Sequence, residues 1–437
     1  MSMNDILVAG AGHGGLAAAI LLAKHGYDVT VYEKEREDAL GHDWEDRFSF
    51  GVLDDLLTGG AEAIPQESWR VRGDSVFVSP SKRKKIPIHF DETNAQKIMW
   101  RKALLGALIS EAKNAGVKFR FETEVLAPLT NGRRVTGVRT ADGPVYAGFT
   151  IDAAGAFSPV RSGLPKYFHI EKEPKYGDVF YAYRAYFDKT HDVTPKEPFE
   201  VSLYHEGEKG LSWLCTNQDT VDILIGRIDK LTDQKIAEML DIYRKEHPWT
   251  GTNVVNGGSR AIIPVRRPLT LMVADGYAAV GDAAFMTTPM NGMGIDLSLN
   301  AGKLLAKTVI ESKEPFSVKS LWNYNHEFHA LYGGEASKNE GLKNALLKLP
   351  AEGVDFLFEN DVIQGSDLAG GGKNINVTAL LGKLRRGMRN PTYFLTIVGG
   401  LMNGSKVMKT YQNAPKTYDL PAIQKWSKEI AALDITQ

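Results

Sequence analysis

The stretch 5–34, DILVAGAGHGGLAAAILLAKHGYDVTVYEK, decides the fold of this 437-residue chain. An apolar strand enters a glycine turn, an alanine-rich helix follows, and a second strand ends at Glu33. The glycines are spaced as Gly10-x-Gly12-x-x-Gly15, directly between the first strand and the helix. This spacing in this context predicts a βαβ unit that binds a dinucleotide.

The glycine turn predicts how the dinucleotide is held. Its backbone N–H groups approach a pyrophosphate, and the following helix offers the positive end of its dipole. Glu33 lies about 20 residues past the turn, where a carboxylate accepts hydrogen bonds from a ribose 2′-hydroxyl. An acid there disfavours a 2′-phosphate, so FAD or NAD is favoured over NADP. No second motif of this kind follows a later strand, so we expect no separate nicotinamide domain.

Composition narrows the class of protein. Hydrophobic residues make up 43% and charged residues 24%, which is typical of a globular protein. The formal net charge of −1 gives no indication of a nucleic-acid partner. Cys215 is the single cysteine, which excludes an intrachain disulfide and favours the cytoplasm. The apolar run 393–402, YFLTIVGGLM, is too short to span a membrane and favours a core helix over a membrane-surface contact.

A second fingerprint occupies 276–306, GYAAVGDAAFMTTPMNGMGIDLSLNAGKLLA. Asp282 follows a strand and a glycine, where its carboxylate can bond a ribityl hydroxyl. A glycine-rich turn then leads into a helix that begins near Met293–Ile295. A helix N-terminus stabilises the negative charge that a reduced flavin carries.

These motifs resemble the superfamily of FAD-dependent aromatic hydroxylases and geranylgeranyl reductases. The resemblance rests on GDAAFMTTPMNGMGI (281–295), TIDAAGAFSPVR (150–161), GGSRAIIPVRRPL (257–269) and GLSWLCT (210–216). It implies FAD as the cofactor, a β-sheet substrate domain and a flavin at the domain interface. The FAD residues that the motifs and the resemblance together predict are Gly10, Gly12, Gly14, Gly15, Glu33, Lys34, Arg101, Val125, Asp282, Pro289, Gly292, Met293, Gly294 and Ile295.

Three departures keep both branches of the superfamily open. The acid of the D-A-D-G motif is Ala154 here, which weakens an NADPH-dependent hydroxylase interpretation. The histidine that often follows GDAA in hydroxylases is Phe285. The cysteine motif that reductases carry beside the flavin is absent, and GHDWED (41–46) occupies that region. This cluster is too polar for a core strand and too acidic and aromatic for an ordinary turn.

The predicted fold class is α/β with three parts. Residues 1–164 and 259–312 form a Rossmann-like FAD-binding domain with a parallel sheet. Residues 165–258 form a β-rich substrate domain, to which part of 65–100 contributes as a hairpin with a basic, solvated tip at 81–85. Residues 313–437 form a helical C-terminal region, broken by a loop at 364–374. The sequence leaves open whether these helices cover the active site or form a homodimer contact.

The predicted catalytic residues lie in GHDWED and on one later strand. The resemblance implies that His42, Asp43 and Trp44 lie beside the flavin, where we expect His42 to titrate near neutrality as a proton donor. The alternative is a solvated, self-paired loop. Trp213 and Cys215 share one strand face and line the substrate cavity, although a strand cysteine is more often a small core residue.

Other charged residues are assigned structural roles or none. Arg266 and Arg267 favour surface ion pairs over a bound substrate anion. No group of histidines, cysteines and acids has the spacing of metal ligands, so no metal is predicted.

The sequence supports three functions. The leading one is an FAD-dependent oxidoreductase that reduces a C–C double bond of a small organic substrate, with NAD(P)H or a reduced carrier protein as electron donor. The first alternative is a flavin monooxygenase that hydroxylates an activated ring with O₂ and NAD(P)H. The second alternative is a flavin-binding protein without turnover.

Overall fold

The computed structural model describes residues 5–90, 96–365 and 377–433. Most of the loop predicted at 364–374 falls outside these residues. Within them no helix is both long and apolar enough to cross a membrane. The fold is α/β with helices at the C-terminus, as the sequence predicts.

A six-stranded sheet forms the first layer, and all its pairings except one are parallel. The exception is the pairing between its first two strands at one edge. In spatial order its strands are β18 (Val273–Ala274), β19 (Tyr277–Ala279), β12 (Phe149–Asp152), β1 (Asp5–Ala9), β2 (Asp28–Tyr32) and β8 (Lys118–Arg120).

The predicted βαβ unit forms the centre of this sheet. Helix α1 (His13–Lys24) connects β1 to β2 along the chain. The two strands pair directly, in parallel, from Asp5↔Asp28 to Ala9↔Tyr32. Gly10 has φ 88°, and a Cβ there would lie 2.6 Å from the Ala153 carbonyl oxygen. A side chain at this position is therefore excluded both by backbone strain and by contact.

A seven-stranded, mostly antiparallel sheet forms the second large layer. Its order is β17 (Thr250–Pro264), β13 (Val179–Lys189), β16 (Thr220–Arg227), β15 (Leu211–Thr216), β14 (Phe199–Leu203), β5 (Ser75–Val78) and β6 (Lys85–Ile88). Helix α4 (Asp233–Glu246) packs against it through Ile236, Met239, Leu240 and Tyr243. The division of the chain into domains stays a prediction.

Two three-stranded antiparallel sheets complete the β-structure. One contains β9 (Val125–Asn131), β10 (Arg134–Thr140) and β11 (Gly143–Tyr146), and the other contains β3 (Glu45–Arg47), β7 (Gln96–Trp100) and β4 (Trp69–Arg72). Part of GHDWED is therefore a strand, contrary to the sequence-based expectation. Its polar side chains are accommodated because β3 is a short edge strand whose acids, Glu45 and Asp46, pair with Arg70 and Arg101.

The helices outside the sheets include α2 (Arg101–Asn114), α3 (Pro159–Gly163) and α5 (Ile295–Glu311). The C-terminal helices are α6 (Val318–Phe328), α7 (Gly334–Lys348), α8 (Ala351–Glu359), α9 (Val377–Gly387), α10 (Pro391–Gln412) and α11 (Leu420–Ala432). The chain crosses from α6 to α7 through a π-helical turn, His329–Gly333.

Glycines bring α7 and α10 into close contact. A Cβ at Gly404 would lie 2.1 Å from the Lys338 carbonyl oxygen, and one at Gly400 would meet Gly341 at 2.5 Å. The run 393–402 is therefore only partly a core segment: Phe394 and Ile397 are buried, whereas other apolar side chains point outward. The core-helix prediction is correct for one face of α10 and wrong for the opposite face.

The basic hairpin tip between β5 and β6 is held by acids. Lys82 bonds Glu206 and Glu246, Arg83 bonds Glu359, Lys84 pairs with Asp361, and Lys85 bonds Glu197 and Glu200. These pairs attach the hairpin to four other segments, so the tip is not a free solvated turn.

Candidate active site

The first part of the site surrounds the glycine turn. Gly12 caps α1 without a side-chain hydrogen bond, so the first-turn N–H groups face outward. Glu33 is buried, and its carboxylate accepts hydrogen bonds from the N–H groups of Ala11 (2.7 Å) and Glu35 (3.0 Å). These bonds fix the carboxylate at the end of β2, beside the turn.

The second part is the start of α5. Gly294 caps this helix without a side-chain hydrogen bond, so its dipole end is also free to meet a negative group. Asp282 lies in the short helical turn Gly281–Ala284 that precedes it. Burial raises the pKa of Asp282 to about 6, while the charge of Arg101 lowers it. Two helix N-termini and one weakly acidic carboxyl group therefore face the same space.

One cavity of about 1980 Å³ joins these parts to the seven-stranded sheet. A typical small-molecule site encloses about 300–1,000 Å³, so the cavity has room for a dinucleotide and a substrate together. The predicted residues on its wall are Gly10, Gly12, Gly14, Glu33, Lys34, His42, Trp44, Arg101, Val125, Trp213, Cys215, Asp282, Pro289, Gly292, Met293, Gly294 and Ile295. Gly15 and Asp43 do not line it.

Gly15 has a packing role. A Cβ there would lie 2.6 Å from Ala153 Cβ and 2.9 Å from Val8 Cγ1. The third glycine of the motif therefore lets α1 approach the sheet and does not touch the cavity.

The segment GHDWED connects the two large sheets. His42 stacks on Trp44, with ring centroids 3.9 Å apart, and its Nδ1 lies 3.2 Å from Ser259 Oγ on β17. Asp43 accepts a hydrogen bond from Asn256 Nδ2 on the same strand (3.0 Å). Asp43 thus holds the segment against β17 from outside the cavity.

Burial changes the chemistry expected of His42. It lowers the pKa of His42 to about 4, and the nearby Arg101 lowers it further than Asp46 raises it. The ring is therefore neutral at pH 7, and the expectation that it titrates near neutrality is wrong. A neutral imidazole can still accept or share a hydrogen bond in the cavity.

Asp46 and Arg101 form an ion pair in which Arg101 Nε donates to the carboxylate. Arg101 begins α2, and its guanidinium lies 5.6 Å from the ring of Trp44. The predicted FAD arginine is thus held between an acid and an indole of GHDWED.

A buried network on the sheet was missed by the sequence analysis. Arg184 forms a bidentate ion pair with Asp222 (2.8 and 2.7 Å) and also donates to Tyr186 Oη (2.7 Å). Its third nitrogen donates to the Glu45 carbonyl oxygen (2.5 Å), and Trp213 Nε1 donates to Asp222 (3.2 Å). The available signal was the alternation in β13, which places Arg184 on the same strand face as Tyr186.

Cys215 lies on the cavity face of β15, on the same side as Trp213. Its thiol contacts Asn217 Oδ1 at 3.5 Å. Burial, followed by the charge of Asp222, raises the pKa of Cys215 to about 12. The thiol therefore stays protonated at neutral pH and cannot act as a thiolate nucleophile.

Arg266 and Arg267 are paired, but not at the surface. Arg266 bonds Glu171 bidentately (2.6 and 2.8 Å), and Arg267 bonds Glu340 on α7 (3.1 Å). Both side chains are buried. They connect the segment that follows β17 to neighbouring segments, and neither lines the cavity.

Among the described residues, one group brings together potential metal ligands that spacing did not predict. His205 Nε2 lies 3.8 Å from a carboxylate oxygen of Glu206 and from one of Glu246. Lys82 bonds both carboxylates, so its ammonium group already supplies the cation for this cluster.

The cavity wall fits FAD on grounds that are independent of any resemblance. Besides the glycine turn and Glu33, it contains His13, whose Nε2 is buried without a hydrogen-bond partner in the described structure. Burial lowers the pKa of His13 to about 3, so this ring is neutral. A buried, unsatisfied nitrogen at the turn matches a site that a polar ligand completes. The N-termini of α1 and α5 suit a pyrophosphate and a flavin ring respectively.

Comparisons with known proteins agree with this geometry. A family model for the FAD binding domain matches residues 3–331. A digeranylgeranylglycerophospholipid reductase of Sulfolobus acidocaldarius is 22% identical, over 98% of this chain and 96% of the relative.

Solved structures share the fold. A geranylgeranyl bacteriochlorophyll reductase-like protein from Thermoplasma acidophilum superposes with a TM-score of 0.70 at 20% identity, over 91% of this chain and 98% of its own. A probable FAD-dependent monooxygenase from Pseudomonas aeruginosa superposes with a TM-score of 0.58 at 19% identity. The match covers 81% of this chain and 99% of the monooxygenase. The chain therefore belongs to the FAD binding domain family and is an FAD-dependent oxidoreductase.

Proposed function

We propose that this oxidoreductase reduces a C–C double bond in a long, apolar, unsaturated chain such as an isoprenoid. When bound, FAD supplies the hydride chemistry through its ring. The observation that carries the proposal is the volume of the cavity and its apolar lining beyond the FAD residues.

Beyond the FAD residues, apolar side chains of the seven-stranded sheet and of helices α7 and α10 line one part of the cavity, which we call the apolar arm. The walls of this arm are Phe77, Phe199, Val201, Leu203, Leu342, Leu346, Leu347, Phe394, Ile397 and Val398. Aromatic and aliphatic side chains on both sides stabilise a chain that has no polar groups of its own. A small activated ring would leave most of this surface unfilled.

We assign binding roles to the residues at the junction of the two parts. Glu33, Arg101 and Asp282 hold FAD, together with the glycine turns. Trp44 and Trp213 both line the cavity, and their rings lie 5.8 and 5.0 Å from the Arg184 guanidinium, so we propose that they position the double bond. The protonated thiol of Cys215 is our candidate for the group that supplies the proton.

The names of relatives support the substrate class. Digeranylgeranylglycerophospholipid reductases match the chain over most of its length, and their name describes reduction of isoprenoid chains. We further propose NAD(P)H or a reduced carrier protein as electron donor, a cytoplasmic location supported by the single cysteine, and the domain division at residues 164, 258 and 312.

A flavin monooxygenase remains the alternative, because proteins of that class share the fold. It is less favoured because Ala154 replaces an acid of the hydroxylase motif. It also gives no role to the apolar arm.

The test follows flavin colour without oxygen. FAD-loaded protein is reduced with dithionite, excess reductant is removed, and a polyunsaturated isoprenoid alcohol is added. We expect flavin reoxidation and a product that gains two hydrogen atoms. The saturated alcohol is the matched control and should leave the flavin reduced.

Two results would contradict the proposal. Substrate-stimulated oxygen consumption with a product that gains one oxygen atom would establish the monooxygenase. Bound FAD that no candidate substrate reoxidises under either atmosphere would favour a binding protein without turnover.

A further inference from the structure

The outer face of α9 and α10 combines exposed apolar side chains with a one-sided charge. Leu384, Met388, Leu395, Leu401 and Met402 are all 44–59% exposed. Scattered exposed leucines are common, but five exposed apolar residues between positions 384 and 402 form a patch. We refer to these five residues and the basic residues from Lys383 to Lys409 as the α9–α10 surface.

The charge of this surface has one sign. From 382 to 412 the sequence has no acidic residue, whereas it contains Lys383, Arg385, Arg386, Arg389, Lys406 and Lys409. Among the described residues, no carboxylate pairs with Arg385, Lys406 or Lys409. This contrasts with the hairpin tip at 81–85, whose cations are neutralised by acids. The α9–α10 surface therefore keeps its positive charge in solution.

The apolar and basic side chains lie on one face. Leu395, Met402, Lys406 and Lys409 recur on α10 at intervals of whole helical turns. The opposite face is fixed against α7 through the close glycine contacts at Gly400 and Gly404, so α10 cannot rotate to bury them. The surface is thus a permanent feature of the fold.

The surface is continuous with the cavity. Leu401 is 44% exposed and also lines the cavity, and Lys383 lines it from the α9 side. An apolar molecule that leaves the cavity here would pass directly onto the exposed leucines. A water-exposed exit of this kind suits a ligand that stays in a lipid phase.

We propose that the α9–α10 surface binds an anionic lipid bilayer, with the leucines and methionines at the acyl boundary and the cations among the headgroups. The charge complementarity selects an anionic membrane over a second copy of this chain, because two such surfaces would repel each other. Binding of such a surface to a bilayer scales with the apolar area that is buried and with the attraction of Lys and Arg side chains to anionic lipids. Vesicle binding requires no turnover, so this inference stands apart from the proposed reaction.

The experiment uses the full FAD-loaded chain and sedimentation with extruded vesicles. We expect binding to mixed phosphatidylglycerol–phosphatidylcholine vesicles, weaker binding to phosphatidylcholine alone, and loss of binding as salt rises. Lys406→Gln/Lys409→Gln should weaken binding roughly 25-fold, at about fivefold per cation. Leu395→Gln/Met402→Gln should weaken it roughly tenfold.

Two matched variants are the controls. Lys230→Gln/Lys307→Gln removes exposed lysines elsewhere, and Val254→Gln/Val255→Gln removes exposed valines on β17. Both should bind vesicles like the parent. None of the substituted residues lines the cavity, so bound FAD should be unchanged in all four variants.

Three outcomes would overturn the inference. The first is no binding to anionic vesicles by protein that still reduces a detergent-dispersed substrate, which leaves the proposed function intact. The second is binding that the control variants weaken equally. The third is a homodimer in size-exclusion chromatography that Leu395→Gln/Met402→Gln dissociates without any vesicle binding.

Discussion

Arg184 and Asp222 form a buried bidentate ion pair on neighbouring strands of the seven-stranded sheet, with N–O distances of 2.8 and 2.7 Å. The pair faces the cavity, and it supports Trp213 through Asp222 and the GHDWED segment through Arg184. The substrate side and the FAD side are thus connected through one guanidinium group.

Removing Asp222 should destabilise the protein strongly. Asp222→Ala leaves the Arg184 cation buried without its carboxylate, and breaking a buried pair in this way costs about 3–5 kcal/mol. Denaturant unfolding measures the loss of free energy of unfolding. The control is Arg260→Gln, which removes the exposed ion pair between Arg260 and Asp233. A loss no larger than that of the control would show that Arg184 finds another partner.

Glu33→Gln should weaken FAD binding. The amide keeps the size of the side chain but removes the charge that strengthens its hydrogen bonds, so the Kd for FAD should rise about tenfold. Fluorescence titration of FAD-stripped protein measures this. Glu35→Gln, an exposed acid on the same loop, should leave the Kd unchanged. Equal affinities for the parent and Glu33→Gln would remove Glu33 from the ribose role.

Because the pKa of His42 is lowered in the folded protein, we expect the protein to lose stability in acid. The folded pKa of His42, about 4, lies below its ordinary value of 6.5, so between these values the unfolded chain binds a proton that the folded chain does not. Its contribution to stability is present above pH 6.5 and is lost as the pH falls towards 4. His42→Phe keeps a ring against Trp44 and should flatten this dependence in denaturant unfolding. The control His191→Phe, at an exposed position, should leave this pH dependence unchanged. If the free energy of unfolding depended on pH in the same way in both variants, the prediction would be contradicted.

For Asp282 we expect the opposite dependence of stability on pH. Its folded pKa of about 6 lies above its ordinary value of 3.8, so the folded state loses stability as the pH rises through this range. In FAD-stripped protein at pH 7, Asp282→Asn should raise the free energy of unfolding by up to about 3 kcal/mol. The same variant should bind FAD more weakly.

A contrasting acid is the control for Asp282. Asp55 is exposed, and its bond to Lys303 lowers its pKa, so Asp55→Asn should give no gain in stability. An Asp282→Asn protein that gains no stability but binds FAD normally would show that the carboxyl group neither carries a burial cost nor meets the cofactor.

If the apolar arm binds the substrate, narrowing it should reduce activity with long isoprenoid chains more than with short ones. Leu342→Trp places an indole in the arm, so activity with a long isoprenoid should fall at least tenfold while a short one is still reduced. Leu331→Trp, on the exposed π-helical turn, is the matched control. Comparing kcat/KM for the two chain lengths measures the effect. An equal fall for both substrates would place the long chain elsewhere.

The cofactor-binding motifs could be predicted from the sequence because the residues of each motif are close together in the chain. Gly10, Gly12 and Glu33 belong to one strand–helix–strand unit, and its geometry follows from backbone sterics and helix dipoles alone. The same holds for Asp282 and the start of α5. FAD, the fold class and the oxidoreductase class could therefore be predicted.

Long-range partners could not be read in this way. GHDWED was expected to be a polar segment beside the flavin, with a titrating histidine. Only the tertiary structure shows that its acids meet Arg70 and Arg101, and that burial makes His42 neutral. The burial of Arg266 and Arg267, and the outward face of α10, were likewise decided by packing against distant segments.

The sequence by itself determined the dinucleotide fold and its cofactor, because those depend on residue spacing within about 30 positions. The tertiary structure alone decided which charges are neutralised, which histidines stay neutral, and where apolar surface remains exposed. The physical reason is that desolvation and ion pairing depend on neighbours in space, and 217 positions separate His42 from the Ser259 hydroxyl beside it.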